Sequence, residues 1–210
     1  MATPGRSSSF PDRHPAQLLI RIGVGVALVL FAQVCAAGES AVLVVGGARI
    51  AIPAPAGFKN VMSNPAARWL AQPYYSSVHD VAALYVPESI QVEKVEAGRD
   101  VERHMVLLQP RNPELQRPKS YREFRDEEAL RQRIAKENDL RVIRDAGTSA
   151  VTLAVRSGPS VAVVVATSSM LVRERLVTFH VVSVLRSAED SQWVIDTTLR
   201  WIEAIDATNP

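Results

Sequence analysis

The stretch from Ala150 to Leu185 constrains this fold more than any other. Ala150 to Val155 alternates, with Val151, Leu153 and Val155 on one side. Gly158-Pro159 marks a turn, and Val161 to Ala166 is apolar without alternation. Thr167 to Met170 reads as a connection to a long strand, Leu171 to Leu185, which is apolar on both sides from Leu176 onward. A strand that is apolar on both sides sits in a sheet covered on both faces. An antiparallel meander of this kind therefore calls for a helical layer on each flank.

The remainder of the chain supplies those layers. Ala41 to Val45 and Ala48 to Ile52 flank Gly46-Gly47, the pattern of a tight β-hairpin. Pro53, Pro55 and Gly57 then break the strand. Asn64 before Pro65 is a helix start, for a short helix over Pro65 to Ala71 that stops before Pro73. Val81 to Val86 and Val101 to Leu108 read as strands, with a polar stretch, Glu88 to Asp100, between them. Gln109 to Pro118 carries three prolines and reads as an exposed connection. Ser120 with Glu123 is a capping box opening a helix from Tyr121 to about Asn138, with Tyr121, Phe124, Leu130, Ile134 and Ala135 on one face. Glu127 and Arg131 fall within that face, so the helix is only partly buried. A closing helix from Glu189 to about Ala207 places Val194, Thr198, Trp201, Ile202 and Ile205 in one stripe, capped by Ser187 or Asp190. The expectation is an α+β domain: a three-layer α/β/α sandwich with a mostly antiparallel sheet, in the order β-β-α-β-β-α-β-β-β-α.

The first forty residues carry an address. Arg6, Arg13, His14 and Arg21 precede a 13-residue apolar run, Ile22 to Val34, and then Cys35, Ala36, Ala37 and Gly38. That is the order of a secretory signal peptide, and the run falls short of the roughly 20 residues needed to span a bilayer. The sequence predicts a signal peptide over residues 1–37, cut between Ala37 and Gly38 or one residue earlier. Residues 38–210 then form a single domain, periplasmic or secreted. Cys35 does not sit in a good lipoprotein pattern, since Val34 and Ala32 occupy the positions that favour a small residue and leucine. Membrane attachment would require an uncleaved signal.

Export changes the charge balance. The chain has 24 Lys and Arg against 22 Asp and Glu; the leader removes Arg6, Arg13, Arg21 and Asp12, leaving 21 of each. A balanced domain lacks the cationic surplus that phosphate contacts require, so nucleic acid is not an expected partner. The single cysteine leaves with the leader. The mature domain therefore has no disulfide, no thiol nucleophile and no thiolate metal site, and it depends on apolar burial.

The prolines and glycine of Ile52-Pro53-Ala54-Pro55-Ala56-Gly57-Phe58, the terminal Trp201-Ile202-Glu203-Ala204-Ile205 and Asn209-Pro210, together with the strand order, carry a resemblance. In layout the mature chain resembles uncharacterised exported proteobacterial proteins with an α/β/α sandwich similar to the PsbP protein of photosystem II. That resemblance implies a binding or assembly role and assigns no functional residue.

No catalytic constellation is legible. There is no Gly-x-Ser-x-Gly elbow, and Ser160 follows Pro159 in a turn. No Gly-rich loop leads into a helix with a lysine. Glu127-Glu128 reads as a solvated carboxylate pair, and the Arg-rich stretch Arg117 to Arg144 as a solvated helix face. Three histidines remain in the mature chain. Glu102 and His104 share a strand face and could give two metal ligands, although no third is implied; the plainer reading is a solvent-facing pair. His79-Asp80 sits at a strand start, and His180 lies in the most apolar strand as a hydrogen-bonded core histidine. Trp69, Tyr74 and Tyr75 flank Pro73 as a lid over the sheet or as a recognition patch. The expectation is an exported non-enzymatic protein that binds a protein partner or a small ligand, with no catalytic, cofactor or metal site assigned. The alternative is a periplasmic hydrolase or metal-dependent enzyme with a site assembled from distant His and Asp/Glu residues, which requires Glu102, His104 and His180 to converge.

Overall fold

The strands of the apolar stretch do pair as a meander, and a tight turn re-divides them. In the computed structural model, which describes residues 40–95, 101–138, 140–157 and 161–210, β7 (Ser149–Ser157), β8 (Ala162–Val172) and β9 (Arg175–Val184) run antiparallel in sequence. Thr167 to Met170 is not a connection: it lies inside β8, and the break falls at Arg173-Glu174. These two residues take φ of 47° and 61°. Left-handed backbone is the geometry of a two-residue hairpin turn, normally met by Asn or Gly, so the turn carried no signature in the sequence.

β1 (Ala41–Val45) and β2 (Ala48–Ile52) form the expected hairpin, and β3 (Phe58–Asn60), β4 (His79–Pro87), β5 (Arg103–Pro110) and β6 (Arg141–Ala146) complete the strands. The main sheet has seven antiparallel strands in the order β3-β4-β5-β9-β8-β7-β6. The predicted layout holds, and the two strands added to it, β3 and β6, are the two edges. A three-residue strand and a strand reading Arg-Val-Ile-Arg-Asp-Ala both lack a clear alternating apolar pattern.

Among the described residues four α-helices follow in chain order: α1 (Arg68–Ala71), α2 (Pro113–Gln116), α3 (Tyr121–Glu137) and α4 (Ala188–Thr208). Around α1 the chain continues as single 3₁₀ turns, Pro65–Ala67 and Gln72–Tyr74, so Pro73 lies within the helical segment. The Asn64 side chain accepts from the Ala66 amide, as its position before Pro65 implies. α2 lies in the proline-rich connection. Capping boxes open α3 at Ser120/Glu123 and α4 at Ser187/Asp190.

One face of the sheet carries α4 and the β1–β2 hairpin. Met105, Leu107, Phe179, Val181, Val164 and Ala166 meet Val194, Trp201, Ile202 and Ile205 there, with Leu43, Ile50 and Ile52 from the hairpin. Asn209 fastens the hairpin to α4: its amide accepts from the Ala51 N–H at 3.0 Å and donates to the Ala51 carbonyl at 2.7 Å. The opposite face carries the segment from Val61 to Tyr74 over β4 and β5, and α3 beside β6 and β7.

The inner face of α3 differs from its sequence pattern. Phe124, Glu128 and Ala135 are buried, whereas Tyr121, Leu130 and Ile134 are exposed. A buried polar network replaces the expected apolar stripe: Lys119 pairs with Glu127, and Arg131 pairs with Glu127 and Glu128 and donates to Ser169. Glu128 is 3% exposed, so the Glu127-Glu128 pair is not the solvated one expected.

From Ala37 to Pro210 the chain forms one compact unit. The signal peptide, its cut at Ala37 and Gly38, and the Gly158-Pro159 turn fall outside the described residues. Among the described residues no helix is long and apolar enough to cross a membrane.

Gly46 tests the hairpin's seat. Its φ is +53°, and a Cβ there would lie 2.1 Å from the carbonyl oxygen of Gln116. Left-handed backbone alone costs an L-residue about 1–2 kcal/mol, and the contact with main chain adds to that. Gly46→Ala is expected to destabilise by more than about 2 kcal/mol in urea unfolding. Gly47→Ala, at φ +80° with nothing within 4 Å, should cost less. Equal losses would show that the close approach to Gln116 is unimportant.

Candidate functional site

The described residues cover the second face of the sheet incompletely. The Val61–Tyr74 segment shields β4 and β5, and α3 lies against β6 and β7. Over the intervening strands opens a cavity of about 410 Å³. Its floor is Val163 and Val165 from β8 and Val182 and Val184 from β9; Pro73, Tyr74, Tyr75 and Ser76 form one wall, and Arg156 of β7 also lines it. His79, His104 and His180, the three histidines among the described residues, line it too.

Strand register brings these residues together. In the β5–β9 ladder His104 lies opposite Val182, and Val106 opposite His180. His180 in turn faces Thr167 across the β8–β9 pairing, and Arg156 faces Val163 across β7–β8. Side chains of one sheet face recur at every second residue, so these positions share a surface. His79 joins from the start of β4, which pairs with the far end of β5.

Tyr74 sits between two of the imidazoles. Its ring centroid is 5.7 Å from that of His104, edge-on, and 6.0 Å from that of His180. His104 Nδ1 lies 3.1 Å from the Val101 carbonyl, which can only accept, so Nδ1 carries the proton. Nε2 is then the acceptor for the Tyr74 hydroxyl at 2.5 Å. This fixes the tautomer of His104 and anchors the wall to the floor. His180 Nδ1 is 3.0 Å from the Thr167 hydroxyl. Burial pushes His180 down to about 4, helped by the charge of Arg156 and by the neighbouring His79 and His104. Burial also lowers His79, with a smaller contribution from Arg131. At neutral pH, His79 and His180 are therefore uncharged, and Arg156 is the fixed cation of the described lining.

Of the aromatic trio, Tyr74 and Tyr75 line the cavity; Trp69 is half-buried on α1 and does not. Glu102 is separated from His104. It lies just before β5 and pairs with Arg186, which holds its carboxyl below the usual range. The three residues whose convergence the enzyme alternative requires do not all meet: His104 and His180 line the cavity and Glu102 does not, while His79 lines it as well. His104 faces the cavity instead of forming a solvent-facing pair with Glu102. Asp80 turns away from the cavity to Arg111. Among the described residues no group of three or more His, Cys, Asp or Glu is placed to hold a metal ion. The arrangement offers apolar walls, hydrogen-bonding rings and one cation, the composition of a small-ligand pocket. Sequence reasoning named His104 and His180 together but left His79 apart, 25 residues before His104 along the chain; the β4–β5–β9 adjacency unites the three.

No protein-family model and no curated protein matches the sequence. Among solved structures, the chain is similar to Mog1p, a Ran-binding protein of Saccharomyces cerevisiae determined at 1.9 Å. The alignment covers 81% of this chain and 94% of that one, at 12% identity and a TM-score of 0.43.

Proposed function

We propose that this protein is an exported, non-enzymatic binding protein of the PsbP-like sandwich type, and that the histidine–tyrosine cavity is where it takes a small ligand. The cavity itself supports this reading: about 410 Å³ of space floored by valines, with polar groups at a few fixed points. That volume lies in the range of small-molecule sites, which are mostly apolar with a few orienting groups. The hydrogen bonds of His104 to both Tyr74 and Val101 suit a rigid wall better than a proton-transfer group, which needs a ring nitrogen free for substrate. The signal-peptide order of residues 1–37 supports binding outside the cytoplasm.

The test is native mass spectrometry of the protein recovered from the exported fraction. The expected result is a polypeptide beginning at Gly38 or Ala37 and carrying a non-covalent small organic molecule, lost in Val163→Phe, which fills the cavity floor. A start before Arg21 would remove the export reading. A bare polypeptide whose melting temperature is unchanged by any amphipathic compound would remove the ligand reading.

A further inference from the structure

Resting on that reading of the cavity, we infer that its ligand is a small amphipathic monocarboxylate, its anionic end at Arg156 and its apolar body on the valine floor. The charge pattern of the lining points this way. Arg156 is the fixed cation, and the described lining holds no carboxylate to neutralise it. Six other arginines are ion-paired: Arg103 with Asp190, Arg111 with Asp80, Arg117 with Glu123, Arg125 with Asp145, Arg131 with Glu128 and Arg186 with Glu102. Arg156 has no hydrogen-bond or ion-pair partner among the described residues, although β7 places it beside the cavity. A guanidinium is the residue type that matches a carboxylate's two oxygens.

His180 stands at the other end of the floor: its strand partner is Thr167, four residues along β8 from Val163, the partner of Arg156. His104 has both ring nitrogens engaged. One cation at one end and four valines along the floor fit one anionic head with one apolar tail. A polyanion such as a nucleotide would place further charges against valine, without the cations that phosphates require.

Octanoate and 1-octanol, titrated against the purified mature protein and followed by the NMR shifts of the histidine ring protons, test this. Octanoate should bind at least tenfold more tightly than octanol and should move the His180 resonances. Arg156→Gln, a change at an exposed position, should weaken octanoate at least fivefold and leave octanol within twofold. If acid and alcohol bind alike, with Arg156→Gln affecting neither, the carboxylate assignment falls and the apolar cavity remains a binding site. If neither binds the intact protein, both fall.

Discussion

Trp201→Ala is expected to lower the unfolding free energy by about 3–5 kcal/mol, the range for truncating a fully buried large aromatic. Trp201 is 2% exposed and lies where α4 meets the sheet. Its ring centroid is 4.4 Å from Phe179 of β9 and 5.5 Å from Tyr85 of β4, the latter edge-on. Its indole N–H donates to the Pro53 carbonyl at 2.9 Å, tying the segment after the hairpin to the helix. Removing the ring opens a cavity between three elements and strands that carbonyl without its donor. Urea unfolding followed by far-UV circular dichroism measures the loss. A change below about 1.5 kcal/mol would show that α4 does not carry the core of the first face. Trp201→Phe, which keeps most of the volume and drops the hydrogen bond, should cost distinctly less.

Acid should destabilise the fold through His180. The folded-state value of about 4 lies below the ordinary 6.5, so the unfolded chain takes up the proton first. The contribution of His180 is therefore intact above pH 6.5, falls as the pH drops toward 4, and levels off below. The full drop corresponds to about 3 kcal/mol. The lowered value of His79 adds loss in the same direction. Carboxylates held low by cationic partners, such as Glu102 beside Arg186, lose their contribution further down, below their ordinary value of 4.5. The clean measurement is a comparison: the intact protein and His180→Leu, each unfolded in urea at pH 7, 6, 5 and 4.5. The variant should show a shallower decline between pH 6.5 and 4.5. Parallel curves would mean that His180 protonates as easily in the folded protein as in the unfolded chain.

The sequence read best where one local rule decided the outcome. Gly46-Gly47 specified a hairpin, Ser120 with Glu123 a capped helix, and the stripe from Val194 to Ile205 the inner face of α4. It read less well where tertiary partners decided. Leu130 and Ile134 of α3 looked like core residues and are exposed, because Glu128 is buried beneath the helix instead, paired with Arg131, which also donates to Ser169, while Lys119 pairs with the half-buried Glu127. Thr167 to Met170 looked like a loop, yet these residues are strand, with Ser168 and Met170 fully buried. Trp69, Tyr74 and Tyr75 around Pro73 read as a lid over the sheet or a recognition patch, and of these Tyr74 and Tyr75 line the cavity. Their histidine neighbours were not grouped with them, since placing β9 between β5 and β8 is a long-range choice that no local pattern records.

The two rims of the seven-stranded sheet bear on how the protein behaves when concentrated. A bare strand edge is a template onto which another chain can add, the first step toward fibrils. Here β3 offers only three residues, and β6 carries Arg141, Arg144 and Asp145, with an irregular register between Val142 and Arg144. Short length on one rim, and charge with a bulge on the other, discourage lateral stacking of folded molecules. A wide sheet thus stays open at both rims without presenting a long bare edge for another chain to join.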